Sequence, residues 1–145
     1  MKKKNLFIIA LLIGVAFTFK APVASAGDMT KDDLVKEAKS KITEIGPAGA
    51  KAQLDTGGAV FLDCREPGEY KAGHIPGAVN IPRGLLEFKI AEQIPEKNTM
   101  ILLYCRSGDR ASLACCSIER MGYKNVMNID GGWQAWVKAG YPVEK

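Results

Sequence analysis

The sequence has little of what most metal and redox sites are built from. Its 145 residues include one histidine, His74, and four cysteines, Cys64, Cys105, Cys115 and Cys116, none in a C-x-x-C pair. A zinc site needs several convergent nitrogen and sulfur ligands, so this set argues against zinc, and the missing C-x-x-C argues against thioredoxin-like exchange. The cysteines are also too sparse for a disulfide framework, and the adjacent Cys115 and Cys116 bridge each other only with strain. Reduced thiols with one special member fit better, with a Cys64–Cys105 bridge as the open alternative. No cluster of Lys and Arg is interleaved with aromatics, so there is no nucleic-acid footprint. Internal repeats and low-complexity segments are absent, and the length suits one compact domain.

The basic balance, 20 Lys and Arg against 16 Asp and Glu, is local to the amino end. Lys2, Lys3 and Lys4 form a positive head, residues 6–19 are apolar, and Ala24-Ser25-Ala26 has the small-residue pattern that signal peptidases cut. The 14-residue apolar stretch, closed by Lys20, is short against the roughly 20 residues a membrane span needs. No cysteine near Ala26 suggests a lipid anchor, and no Arg-Arg pair suggests twin-arginine export. The expectation is a signal peptide over 1–26, cleaved near Ala26, and a protein soluble in a bacterial periplasm with no membrane contact after cleavage. Without Lys2, Lys3, Lys4 and Lys20 the remainder holds 16 basic and 16 acidic residues and is formally neutral.

Beyond residue 26 the pattern alternates strands and helices. Residues 27–41 read as an amino-terminal helical arm, with Leu34, Ala38 and Ile42 at helical spacing and Asp32 and Asp33 in the first turn. Strands are expected over 42–45, 59–62, 78–81, 100–104 and 126–129, and helices over 48–54, 67–72, 85–91, 111–121 and 133–139. Five strands alternating with helices imply an α/β fold, with a central, mostly parallel sheet and helices on both faces.

In such a sheet, sites form beyond the carboxyl ends of the strands. Cys105 ends the apolar run Met100-Ile101-Leu102-Leu103-Tyr104 and opens the loop Cys105-Arg106-Ser107-Gly108-Asp109-Arg110, which feeds a helix. Backbone N–H groups and a helix N-terminus favour an anion there, so Cys105 is expected to be a thiolate. Arg106 and Arg110 are the available cations, and Gly108 lets the loop curl so that successive N–H groups point inward. Cysteine phosphatases place an arginine six positions after the nucleophile, whereas Arg110 stands five after Cys105. The tighter ring suits a bound sulfur carrying a small anion better than a tetrahedral phosphate ester.

Three motifs in order carry a resemblance. They are the segment Asp63-Cys64-Arg65-Glu66-Pro67-Gly68-Glu69-Tyr70 running on through Gly73-His74-Ile75-Pro76-Gly77-Ala78 to Pro82, the loop from Cys105 to Arg110, and Gly131-Gly132-Trp133-Gln134-Ala135-Trp136 with Gly140-Tyr141-Pro142. Together they resemble the rhodanese family, and the resemblance assigns residues 42–145 to a rhodanese domain. It implies a rhodanese-like fold and the activity of single-domain thiosulfate sulfurtransferases, whose Cys-Arg-Ser-Gly opening this loop shares. Cys105 would take a sulfane sulfur from thiosulfate as a persulfide, release sulfite, and pass the sulfur to cyanide or a thiol. On the same resemblance, the N–H groups of Arg106, Ser107, Gly108, Asp109 and Arg110 cradle the persulfide, Arg106 and Arg110 hold the sulfonate end, and no cofactor is needed.

The remaining residues receive plainer readings. Asp63 and Arg65 brace the loop by an ion pair or hydrogen bonds rather than touching substrate. Asp109 opposes the thiolate unless it points outward and pairs with Arg110. His74 is structural, and Cys64 is a small apolar strand residue rather than a resolving thiol. Cys115 belongs to the core with Cys116 its more exposed neighbour, and Trp133 and Trp136 are both core. Two rival functions remain: a persulfide carrier that hands sulfur to a protein partner without turnover, and a redox sensor pairing Cys105 with Cys64.

Overall fold

The computed structural model describes residues 27–145, so the expected signal peptide lies outside the described residues. The strands β1 (Thr43–Ile45), β2 (Val60–Asp63), β3 (Val79–Asn80), β4 (Met100–Tyr104) and β5 (Asn125–Ile129) form one sheet in the order β1-β5-β4-β2-β3. Every pairing is parallel, so the sheet is wholly rather than mostly so. The helices are α1 (Lys31–Lys39), α2 (Pro47–Thr56), α3 (Pro67–Ala72), α4 (Leu86–Gln93), α5 (Asp109–Arg120) and α6 (Gly132–Lys138), and a 3-10 turn at Arg83–Leu85 leads into α4.

The apolar run of β4 is needed because this strand is covered on both faces. Ile101 and Leu103 meet Leu62, Ile90, Ala114 and Ile118 on the side of α4 and α5, while Leu102 and Tyr104 meet Ala50, Phe61, Ile75 and Trp136 on the side of α2 and α6. Pro47 starts α2 at a position where its missing N–H costs nothing, and Gly57, at φ +67°, ends it. The arm α1 is fixed at its start by a reciprocal cap: the Asp33 N–H donates to Thr30 Oγ1 at 3.2 Å, and the Thr30 N–H donates to Asp33 Oδ2 at 3.0 Å. It lies along α5, which gives the arm a fixed seat on the domain.

Two boundaries differ from expectation in ways that bear on the site. Helix α1 stops at Lys39, where Ser40 caps it, rather than running to 41. Helix α5 begins at Asp109 rather than 111, because Gly108, at φ +98°, turns the chain straight into the first helical turn and its carbonyl accepts from the Ser112 N–H at 2.9 Å. Asp109 and Arg110 therefore belong to a helix. The turn between β4 and α5 is only Cys105 to Gly108.

Parallel pairing brings the carboxyl ends of β2 and β4 side by side, with Asp63 opposite Tyr104 and the Cys64 N–H donating to the Tyr104 carbonyl at 3.0 Å. Trp136 anchors the opposite layer. It is fully buried, its ring meets Phe61 and Tyr141 edge-on, and its Nε1–H donates to the Pro142 carbonyl at 2.8 Å. Replacing it with alanine, Trp136→Ala, is expected to lower unfolding free energy by about 3–5 kcal/mol, a large share of a typical domain's stability. Urea denaturation followed by circular dichroism checks this, and a loss below about 1 kcal/mol would contradict the packing described.

Candidate active site

Cys105 follows directly on β4 and is 1% exposed. The Gly108 N–H donates to its sulfur at 3.2 Å. The first two carbonyls of the turn are taken up by α6: the Trp133 N–H donates to the Cys105 carbonyl at 2.8 Å, and the Gln134 N–H to the Arg106 carbonyl at 3.0 Å. The start of α6 thus takes up the turn's acceptors and leaves its donors turned toward the sulfur. That arrangement leaves no room for a side chain at Gly132, whose Cβ would lie 2.5 Å from the Cys105 oxygen and 2.9 Å from the Gly108 nitrogen.

The Cys105 thiol is pulled down to about 5, first by the Cys64 S–H donating to its sulfur, then, against the opposing effect of burial, by the backbone N–H groups of Ala111, Ser107 and Gly108. Cys64 is pushed far up by the same bond, with burial adding to it. One thiolate and one thiol therefore share the end of the sheet. Both thiols are free, so the Cys64–Cys105 bridge left open by the sequence is not formed.

Asp63 and Arg65 make a buried ion pair, 0% and 3% exposed. Arg65 Nη2 lies 2.6 Å from Asp63 Oδ2, and the Arg65 N–H donates to Asp63 Oδ1 at 2.9 Å. The same Nη2 donates to the Gly73 carbonyl at 2.7 Å, and the guanidinium carbon sits 4.6 Å from the centre of the Trp133 ring. This pair ties the end of β2, the turn after α3 and the start of α6 into one support beside the Cys105 turn.

The two candidate sulfonate-binding cations are not equivalent. Arg106 is exposed and, with Arg65, Glu69, Trp133 and Gln134, lines a cleft of about 420 Å³. Arg110 is held by Glu69, Nη1 to Oε2 and Nη2 to Oε1, both at 3.1 Å. The condition under which Asp109 would spare the thiolate, a pair with Arg110, is not met: Asp109 lies in the first turn of α5 and makes no ion pair among the described residues. Trp133 corrects another expectation, since it is half-exposed at the cleft while only Trp136 is core. Ser107 is exposed and contributes its backbone N–H to the cradle.

Three other residues keep their plainer readings. His74 stacks on Tyr70 at 3.7 Å between ring centres with Nδ1 3.0 Å from the Tyr70 carbonyl oxygen, so its ring is engaged in local structure. Cys115 is fully buried, and Cys116 is half-buried 3.8 Å from the Ala38 carbonyl. Another concavity, about 610 Å³, lies between α1 and α5 around Leu34, Ala38 and Cys116 and contains none of the Cys105 machinery. Among the described residues no cluster of His, Cys, Asp and Glu is arranged to hold a metal ion.

Sequence reasoning missed Glu69, the support from Gly132, and the donor role of Cys64. Cys64 and Cys105 stand 41 residues apart in sequence, as do Glu69 and Arg110. No local spacing links either pair. Their meeting follows from strand order.

The sequence model of the Rhodanese-like domain matches residues 47–139. The chain belongs to the rhodanese-like family. A protein of Allochromatium vinosum named sulfurtransferase is 38% identical over 103 residues, covering 70% of this chain and 94% of that protein. The Escherichia coli thiosulfate sulfurtransferase PspE is 35% identical over 71 residues, covering 49% of this chain and 68% of its own. Among solved structures, a Rhodopseudomonas palustris protein of unknown function, described as a possible tyrosine phosphatase, superposes with a TM-score of 0.74 at 35% identity over 80% of this chain and 95% of its own. The rhodanese-like domain thus accounts for the chain from α2 through α6, with α1 and β1 ahead of the matched region.

If the Cys64 S–H holds the thiolate, the rate of Cys105 alkylation by iodoacetamide should rise with pH through a midpoint near 5. Cys64→Ala should raise that midpoint by roughly one to two units, and Cys64→Ser, which keeps a donor, by less. An unchanged midpoint in Cys64→Ala would exclude the thiol–thiolate bond.

Proposed function

We propose that this chain is a sulfurtransferase that carries a sulfane sulfur on Cys105, with thiosulfate as donor and cyanide or a thiol as acceptor. The observation that carries this reading is the buried Cys105 thiolate facing the backbone N–H groups of its own turn, with the next residue, Arg106, lining a cleft. In the first step the Cys105 thiolate attacks the outer sulfur of thiosulfate. A sulfur–sulfur bond forms at Cys105, the bond to the sulfonate sulfur breaks, and sulfite leaves with its electron pair. In the second step the acceptor attacks the terminal sulfur and the Cys105 thiolate is restored. The two steps share one anion-binding cradle, which holds first the thiolate and then the negative persulfide terminus.

The names of the Allochromatium and Escherichia relatives support this reading. A phosphatase reading, suggested by the Rhodopseudomonas neighbour, fits less well. Arg110 stands five positions after Cys105, one short of the phosphatase spacing, so the short turn offers little to three phosphate oxygens. The pattern of residues 1–26 supports an exported, periplasmic protein, and the acceptor there is a small molecule or a thiol on a sulfur-accepting protein.

Protein starting at Gly27 should form thiocyanate from thiosulfate and cyanide with release of sulfite. Intact mass after thiosulfate alone should show the gain of one sulfur atom, and Cys105→Ser should abolish both signals. Turnover retained in Cys105→Ser would sink the assignment. A stable sulfur gain with no discharge to cyanide would identify the carrier function instead.

A further inference from the structure

The one carboxylate at the rim of the Cys105 cleft has no part in the scheme above. Glu69 sits in the first turn of α3, where one oxygen accepts from the Glu66 N–H at 3.2 Å, so the side chain is tethered to its own helix start. From there it reaches Arg110, in the first turn of α5, and occupies both terminal nitrogens of the guanidinium at 3.1 Å. Glu69 thus takes the end-on pair of donors, one of the two bidentate edges a guanidinium can offer an anion. The Arg110 guanidinium is held in its charged form first by this carboxylate, with a smaller contribution from the Cys105 thiolate.

Arg65, Arg83 and Arg110 each pair with a carboxylate, and among the described residues no carboxylate pairs with Arg106. An anion entering the cleft therefore meets Arg106 open, Arg65 paired with Asp63, and a Glu69 carboxylate already engaged with Arg110. That last engagement is weak. The Arg110 and Glu69 side chains are 37% and 34% exposed, and ion pairs so exposed contribute little net stability, so an anion of higher charge can displace the carboxylate.

We propose that Glu69 is a specificity-determining residue, a carboxylate latch on Arg110 that competes with the anionic end of the sulfur donor. This rests on the sulfur-transfer reading. A donor with a doubly charged head gains Arg110 only by opening the latch, while a singly charged donor reacts through Arg106 and the backbone cradle alone. The latch also keeps the potential at the cleft lower than two free arginines would make it, and so weakens the hold on any anion, sulfite included.

The test is Glu69→Gln, which keeps an acceptor for the Glu66 N–H and removes the charge. KM for thiosulfate should fall roughly three- to tenfold, the range for removing one half-exposed unit charge near a bound anion, with a smaller fall for singly charged methanethiosulfonate. A reaction that needs no sulfur donor separates the latch from the function: alkylation of Cys105 by anionic iodoacetate should speed up several-fold relative to neutral iodoacetamide. The iodoacetamide rate itself reports that the Cys105 turn is intact. A raised or unchanged KM together with an unchanged iodoacetate to iodoacetamide ratio would overturn the latch. A shifted ratio in a protein that does not turn over thiosulfate would keep the latch and refute the donor.

Discussion

Everything at the Cys105 site depends on which way four peptide units face. A short turn can present either its carbonyls or its N–H groups to a side chain at its centre, and only the second arrangement tolerates a thiolate. Here the choice is made from outside the turn, by the first N–H groups of α6. Trp133 and Gln134 have no partners within their own helix at that position, and they take the carbonyls of Cys105 and Arg106. The contact is so close that residue 132 has to be glycine, with no Cβ to lie against the Cys105 oxygen. Two helix starts thus work in opposition. That of α6 takes up the acceptors, and that of α5 adds its dipole to the inward donors.

Once the donors face inward, little net charge is required. The buried Asp63–Arg65 pair is internally neutral and acts as a strut, fastening the Gly73 carbonyl and the Trp133 ring to the end of β2. Arg110 is matched by Glu69, and Asp109 sits in the first turn of α5, where a carboxylate suits a helix start. The thiolate is left to short-range dipoles, three backbone N–H groups and the Cys64 S–H, rather than to a surplus of positive charge. Such an arrangement is preorganised, because none of these donors has to move when the negative charge passes from Cys105 to the end of a persulfide.

The fold was legible wherever a local pattern carried it. Residues 100–104 read as a strand because five apolar residues in a row suit only a strand covered on both sides, and β4 has those bounds. The cradle was legible too, since Cys105, Gly108 and the helix after them are contiguous. Asp109 was misread because the sequence marks where a helix can start but not that Gly108 turns directly into it. Trp133 was misread because helical spacing groups it with Trp136, whereas the Arg65 guanidinium, brought over from β2, holds its ring at the cleft. Glu69 was not read at all, because its partner lies across the sheet. For Trp133 and Glu69, what escaped the sequence was a contact between distant segments.

The depth of Cys105 bears on what the site can exchange. At 1% exposure its sulfur cannot be approached by a bulky electrophile, which protects a low-lying thiolate from oxidation and from mixed disulfides. On the sulfur-transfer reading the same burial is productive. A disulfide-type bond places the added atom about 2 Å beyond the cysteine sulfur. The atom to be delivered is then the exposed one, and the atom that must be regenerated stays sheltered. An acceptor attacking from the cleft reaches the terminal sulfur first, and the leaving thiolate returns to donors already in place. A transferable sulfur fits this geometry because it lengthens the side chain by one atom without asking the turn to open.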